Sequence, residues 1–196
     1  NIFLELTNNQ IFNFHLAMTG GWLDELIKHC HFRVYDCKNK IFFRDVRKFG
    51  NMKIINQSQF NDRFNPSYDL ISKSYSLKKH LSYLEATINA RKSICSIIMD
   101  QKYFPGVGSY IKSESLYASK IHPEEKWGNL NKDMRINLIQ NTQIVMKNSY
   151  KSGGAELKDF KNPFYSSSFR LKVYGKKYTE QNNLVTSKKT SDSRKT

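Results

Sequence analysis

The run DQKYFPGVGSYIKSESLYASKIHP, residues 100–123, constrains this chain more than any other stretch. A short apolar helical pattern stops at Asp100 and Gln101, and Pro105, Gly106, Val107 and Gly108 then form a turn with two glycines. The spacing predicts a second helix from Ser109 through Ile111, Leu116 and Tyr117 to a stop at His122-Pro123, because proline cannot continue a helix. As packing alone, the run is two core helices joined by a tight turn. A helix that begins just after a glycine turn also aims its free N–H groups and the positive end of its dipole outward.

Charge says what such a helix end would meet. The 196 residues hold 32 Lys and Arg against 17 Asp and Glu, a net charge of +15. That excess selects a nucleic acid or an anionic membrane as partner. No apolar run approaches the roughly 20 residues of a membrane helix, and no secretory signal opens the sequence, so no membrane partner is expected. A chain 39% hydrophobic and 13% aromatic folds, with a core for one or two small domains. Cys30, Cys37 and Cys95 form no C-x-x-C pair; the odd count and wide spacing suggest reduced thiols in an intracellular compartment, cytoplasm or nucleus. His29, Cys30, His31 and Cys37 are close in sequence, but neighbours along a strand point to opposite faces, so neither metal nor cofactor is expected. The sequence starts at Asn1 and begins and ends in mid-pattern, which suggests a fragment of a longer protein.

The organisation reads as α+β. In residues 1–56, Ile2-Phe3-Leu4-Glu5-Leu6 and Ile11 to Leu16 flank the polar turn Thr7-Asn8-Asn9-Gln10. Phe32, Val34 and Tyr35 run into Lys38-Asn39-Lys40 and turn back through Ile41-Phe42-Phe43, and residues 51–56 add another short strand. Short strands at near-regular spacing suggest part of a β-sandwich or barrel. Residues 57–76 are polar and are expected to be a linker. From Leu77 the period becomes helical, through Leu81, Leu84 and Ile88, then Ile94, Ile97 and Ile98, then a helix over 131–150 that ends at Ser152-Gly153-Gly154. Residues 155–168 lack periodicity and are expected to be a mobile loop. Alternation resumes over 169–175, and Asn182-Asn183 suits a hairpin turn before Leu184-Val185. Ser187–Thr196, taken alone, reads as a disordered basic tail.

Two further loops carry chemistry. Met18 stands in Ala17-Met18-Thr19-Gly20-Gly21-Trp22, a glycine turn after a strand. Asp45-Val46-Arg47-Lys48-Phe49-Gly50 joins two strands. There Arg offers a donor fork for a base edge, Lys a charge for phosphate, and Phe a stacking face. Each loop also reads as ordinary structure, a core methionine or a solvated strand end.

Together these segments resemble the formamidopyrimidine-DNA glycosylase/endonuclease VIII family. Asp100, Gln101, Gly106, Val107, Gly108, Ser113, Glu114, Leu116, Tyr117, Ile121, His122 and Pro123 match its helix-two-turn-helix run. His15 to Gly20 resembles its H-L-G-M-[ST]-G loop, Asp45 to Gly50 its D-P-R-R-F-G, and Leu171 to Lys176 its L-x-V-Y-G-[RK]. Ser109 replaces an Asn that contacts phosphate in the family, and Ser is also a good N-cap. Ala17 replaces a Gly, Val46 a Pro and Lys48 an Arg.

The resemblance implies a remainder of the N-terminal β-sandwich at 1–56, a linker at 57–76, a helix-two-turn-helix domain at 77–154, a mobile loop at 155–168 that closes on the damaged base, and part of a finger hairpin at 169–196. No Cys follows Cys95, so the finger is expected to be the zinc-free kind, with its second strand beyond Thr196. The implied partner is double-stranded DNA with damaged bases or abasic sites, bound by a monomer. His15, Lys48, Gly106, Gly108, Ser109 and Arg194 would contact the DNA backbone, and Met18, Arg47 and Phe49 would fill the gap left by an everted nucleotide. The implied activity is excision of oxidised bases through a Schiff base on an N-terminal proline, followed by strand elimination. That proline, its adjacent Glu and a Lys would lie upstream of Asn1, so the residues given should bind DNA without cleaving it. Glu114 has two readings, support of the chemistry or helix packing. The rival class is a non-catalytic helix-two-turn-helix module that binds DNA or RNA.

Overall fold

A computed structural model describes residues 2–17, 20–155 and 168–196. The chain divides into two compact units, Asn1–Phe64 and Asn65–Thr196.

The first unit holds two three-stranded antiparallel sheets. One orders β1 (Ile2–Glu5), β2 (Ile11–His15) and β6 (Asn51–Ile55) as β1-β2-β6; the other orders β3 (Gly20–Leu23), β4 (Cys30–Tyr35) and β5 (Lys40–Asp45) as β3-β5-β4. Aromatic side chains explain the pairing. Trp22, Phe43 and Phe32 stand in register across β3, β5 and β4. From the other sheet Phe14 meets Trp22 edge-on at 5.1 Å between ring centroids, and Phe12 meets Phe32 at 6.3 Å. Such ring pairs add roughly 0.5–1.5 kcal/mol each beyond the area they bury, so sheet faces sheet through an aromatic layer. This layer also corrects one expectation. Gly20-Gly21-Trp22, read as loop, belongs to β3, because Trp22 pairs with Phe43.

The expected linker is corrected too. Residues 57–63 form α1 (Gln57–Arg63), closed by a capping box between Asn56 and Gln59. Phe60 and Phe64 pack on Phe3 of β1 at 4.9 and 6.0 Å between centroids. A polar composition hid a helix whose start is set by capping rather than by apolar periodicity.

The second unit is helical: α2 (Leu77–Thr87), α3 (Ile94–Met99), α4 (Ser109–Ser119) and α5 (Lys132–Lys151). Leu84, Ile94, Ile97, Ile98, Phe104, Leu138 and Ile139 form its fully buried centre. Leu70 is buried with them, so the segment after Asn65 belongs to this core. Helix α4 ends earlier than His122-Pro123. Lys120 takes the left-handed conformation and its N–H returns to Leu116 and Tyr117, which lets buried Ile121 turn back to the core. The Pro123 and Glu125 carbonyls then accept the N–H groups of Cys95 and Ile94, both at 2.9 Å, at the start of α3.

The C-terminal residues fold onto this helical body. The stretch 169–175, expected as a strand, has no strand pairing. Tyr178 bridges Leu184 around a turn in which Asn182 has φ 61°. Lys189 bridges Lys195, and Lys188 and Thr196 exchange backbone hydrogen bonds at 3.1 and 3.0 Å. Residues 187–196, which taken alone read as a disordered tail, thus form a second small hairpin in the segment expected to be part of a finger hairpin.

His80 ties α2 to the loop before α4. It is fully buried, with Nε2 at 2.8 Å from the Tyr103 carbonyl oxygen and Nδ1 at 3.2 Å from the Tyr75 hydroxyl. Burial lowers its pKa to about 4, against a smaller opposing effect of the Tyr103 carbonyl. The unfolded chain, with an ordinary histidine near 6.5, binds the extra proton first as pH falls. Its contribution is therefore intact above about pH 6.5 and lost progressively as pH falls toward about 4, by roughly 3 kcal/mol in all. Urea unfolding at a series of pH values should show this slope, and His80→Phe should flatten it.

Candidate nucleic-acid interface

In the first unit, the tip between β5 and β6 is built around Asp45. This buried carboxylate accepts the N–H of Gly50 at 2.6 Å and that of Arg47 at 3.3 Å. The loop it closes turns at Lys48, whose φ is 56°. Arg47, Lys48 and Phe49 are all exposed; Phe49 is 64% exposed, and the Arg47 guanidinium lies 5.2 Å from its ring centre. A cation on an aromatic face stiffens both side chains in solvent. His15 is exposed at the end of β2, opposite Asn51. Ala17, two residues on, has φ 54°, a left-handed conformation that costs a non-glycine residue about 1–2 kcal/mol. Met18 lies outside the described residues, as do residues 156–167 of the expected mobile loop.

In the second unit, Gln101 holds the glycine turn. Its Oε1 accepts the Gly106 N–H and its Nε2 donates to the Val107 carbonyl, both at 2.9 Å. Gly106 has φ 81°, so the turn requires glycine there. Gly108 is different. Its backbone is extended, and a Cβ on it would meet nothing within 4 Å. Gly108, not Ser109, is the N-cap of α4; Ser109 is the first helical residue. No described side chain caps this end. By contrast, Asn56, Ser76 and Asn131 cap α1, α2 and α5, and backbone carbonyls serve α3. Helix α4 thus keeps open amides at a partly exposed turn, the arrangement that receives an anion.

The inner face of α4 grips the C-terminal segment. Glu114 is buried, and its carboxylate accepts the N–H groups of Lys172, Val173 and Tyr174 at 2.9, 2.9 and 2.8 Å. Of its two readings, neither foresaw this: the group organises backbone 58 to 60 residues away in sequence. Arg194 is exposed in the turn of the last hairpin, after Ser193 with φ 62°. The Thr190 N–H donates to the Arg194 carbonyl at 2.9 Å. Burial pushes the Asp192 carboxyl up, but bonds from Lys112, Thr190 and the Arg194 N–H, with the Lys112 charge, outweigh it and hold the group below the usual carboxylate value.

Sequence reading gave no role to Asp45, Gln101, Lys112 or Asp192. The Asp45 to Gly50 spacing signals an Asx-type staple. Lys112 and Asp192 leave no comparable trace, since nothing in the sequence marks a lysine as buried. No group of three or more His, Cys, Asp or Glu among the described residues could hold a metal ion, and none of the described helices is long and apolar enough to cross a membrane.

A glycine turn that opens a helix inside a helical unit, in a chain whose other unit is a small aromatic-cored β structure, defines the class of helix-two-turn-helix proteins. Residues 72–161 match the formamidopyrimidine-DNA glycosylase H2TH domain. The formamidopyrimidine-DNA glycosylase of Rickettsia massiliae is 32% identical over 193 residues, covering 89% of this chain and 66% of that protein. The Rickettsia conorii protein of the same name is 32% identical over 187 residues, covering 89% and 67%. Among solved structures, the complex of a Lactococcus lactis enzyme mutant, G226P, with a Fapy-dG containing DNA matches with TM-score 0.82 and 22% identity, over 99% of this chain and 75% of that one. The chain belongs to the formamidopyrimidine-DNA glycosylase/endonuclease VIII family, and spans about two thirds of the length of these relatives.

Glu114→Ala removes the acceptor of three backbone N–H groups. It should destabilise the second unit by about 3 kcal/mol. Amide exchange at 172–174 should accelerate well before that of α5.

Proposed function

We propose that this chain is the DNA-gripping part of a base-excision repair glycosylase with AP lyase activity. Its partner is double-stranded DNA that carries oxidised bases or abasic sites, bound by a monomer inside the cell. The observation that carries this reading is the uncapped start of α4, set on a turn that Gln101 braces from behind. A net charge of +15 supplies the general attraction to phosphate. Family membership supports the same partner, and the Lactococcus lactis relative was captured on Fapy-dG DNA.

Each contact has its own chemistry. The α4 amides and Ser109 take one backbone phosphate, and Arg194 and Lys48 take others. Arg47 presents its fork to the base left without a partner, and Phe49 wedges beside it. Met18 fills the vacated stack. Eversion costs a few kcal/mol, which these insertions offset in part. His15 lies against the sugar-phosphate chain. In this reading Glu114 serves by holding the finger segment, not by moving protons. Glycosidic cleavage would use an N-terminal secondary amine, whose iminium withdraws electrons from the sugar.

Gly108 gives the sharpest test. Alanine fits the extended backbone and open space there, so Gly108→Ala should lower stability by less than about 1 kcal/mol. It should weaken binding to an abasic-site duplex at least several-fold, because the added methyl stands where a phosphate must approach. Fluorescence anisotropy against salt concentration reads both affinity and slope; parental affinity would remove the phosphate from this site. Borohydride trapping on damaged duplex addresses the chemistry. The 196 residues as given should bind and form no covalent adduct; an adduct would place a competent amine within them.

A further inference from the structure

Lys112 lies one turn into α4 with its side chain wholly buried, a rare place for a lysine. Its Nζ donates to Asp192 Oδ2 at 2.6 Å, with side-chain exposures of 0% and 6%. The other oxygen of that carboxylate accepts from the Thr190 hydroxyl at 2.6 Å and from the Arg194 N–H at 3.2 Å. One group thus neutralises a buried cation and shapes the turn that carries Arg194.

The neighbouring residue adds a second anchor. Ser191 Oγ lies 2.5 Å from Ser93 Oγ, and its N–H donates to Glu124 Oε1 at 2.6 Å. Residues 187–196 contain no apolar residue, so no large hydrophobic side chain anchors the hairpin. A lone two-stranded hairpin is marginal in water. A buried ammonium without its carboxylate would be strongly unfavourable. The hairpin is therefore confined to the single position in which Asp192 meets Lys112.

We propose that Lys112 and Asp192 are positioning residues for DNA binding, a buried latch that fixes the Arg194 turn at one place on α4. The inference rests on the proposed role of Arg194 as a phosphate contact. Being buried, the pair is little screened by salt, so the latch stays closed under conditions that weaken the phosphate contacts themselves.

The test uses the full chain and a duplex carrying a tetrahydrofuran abasic-site analogue. Arg194→Ala should weaken binding about tenfold and flatten the slope of log affinity against log salt by about 0.9. Lys112→Met should do the same, although it leaves Arg194 in place. Adding Arg194→Ala to Lys112→Met should then lose little more. A loss of packing alone would not change the number of phosphates counted by the salt slope. If Lys112→Met loses its helical circular dichroism, Asp192→Asn carries the same expectations. Parental affinity and slope in a folded latch variant, or full additivity with Arg194→Ala, overturns the proposal. If Arg194→Ala itself changes nothing, the phosphate role fails, and amide exchange over 188–196 still judges the latch. Faster exchange in the latch variant with α4 still protected upholds it, and unchanged exchange overturns it.

Discussion

A carboxylate taken out of water needs its lone pairs filled, and on α4 that need decides where a distant stretch of chain must lie. Glu114 is satisfied only when three successive backbone N–H groups converge on it, which forces 172–174 into a curl that no strand could supply. Lys112 imposes a matching demand two residues earlier. Lys112, Ser113, Glu114 and Ser115 are all buried, and because four consecutive residues reach most of the way around a helix, α4 is enclosed around this turn rather than along a single apolar stripe. Its apolar anchors, Ile111 and Leu116, flank this polar patch. Packing fixes α4, and α4 then fixes the C-terminal segment by charge and hydrogen bonding.

The first unit applies the same device on a β scaffold. An aromatic layer of Phe12, Phe14, Trp22, Phe32 and Phe43 holds two small sheets together. At its margin Asp45 turns a buried carboxylate toward the loop amides. The exposed set Arg47, Lys48 and Phe49 is thereby mounted on a rigid base, though its own side chains face solvent. In both units a buried acid behind the surface orders the residues proposed to touch DNA, Asp45 beneath Arg47 and Phe49 and Asp192 beneath Arg194.

Much of this was legible because it is local. The glycine turn, the apolar spacing of Leu77, Leu81 and Leu84, and the turns at Asn9 and Asn182 follow from backbone sterics and periodicity, which the sequence displays directly. Errors came where a long-range partner overrode a local pattern. Gly20-Gly21-Trp22 looks like loop until Phe43 is opposite it. Residues 169–175 alternate like a strand, yet their amides go to a side chain. The basic tail looks solvated because its composition offers no core, and its order depends on Lys112, 80 residues away from Asp192. Helix α1 was missed because its capping box is its main signal. Of the site, residue types and turn geometry were readable; the buried acids and the lysine that brace it were not, since burial is a property of the whole fold.

The two charged groups buried on α4 have a consequence for damage to the protein itself. Peeling away the C-terminal segment would lay bare an ammonium and a carboxylate, both readily hydrated, together with the apolar Leu116, Ile121 and Tyr110 that the segment covers. A nicked molecule would thus keep a patch of mixed character, charge beside oil, where its grip had been.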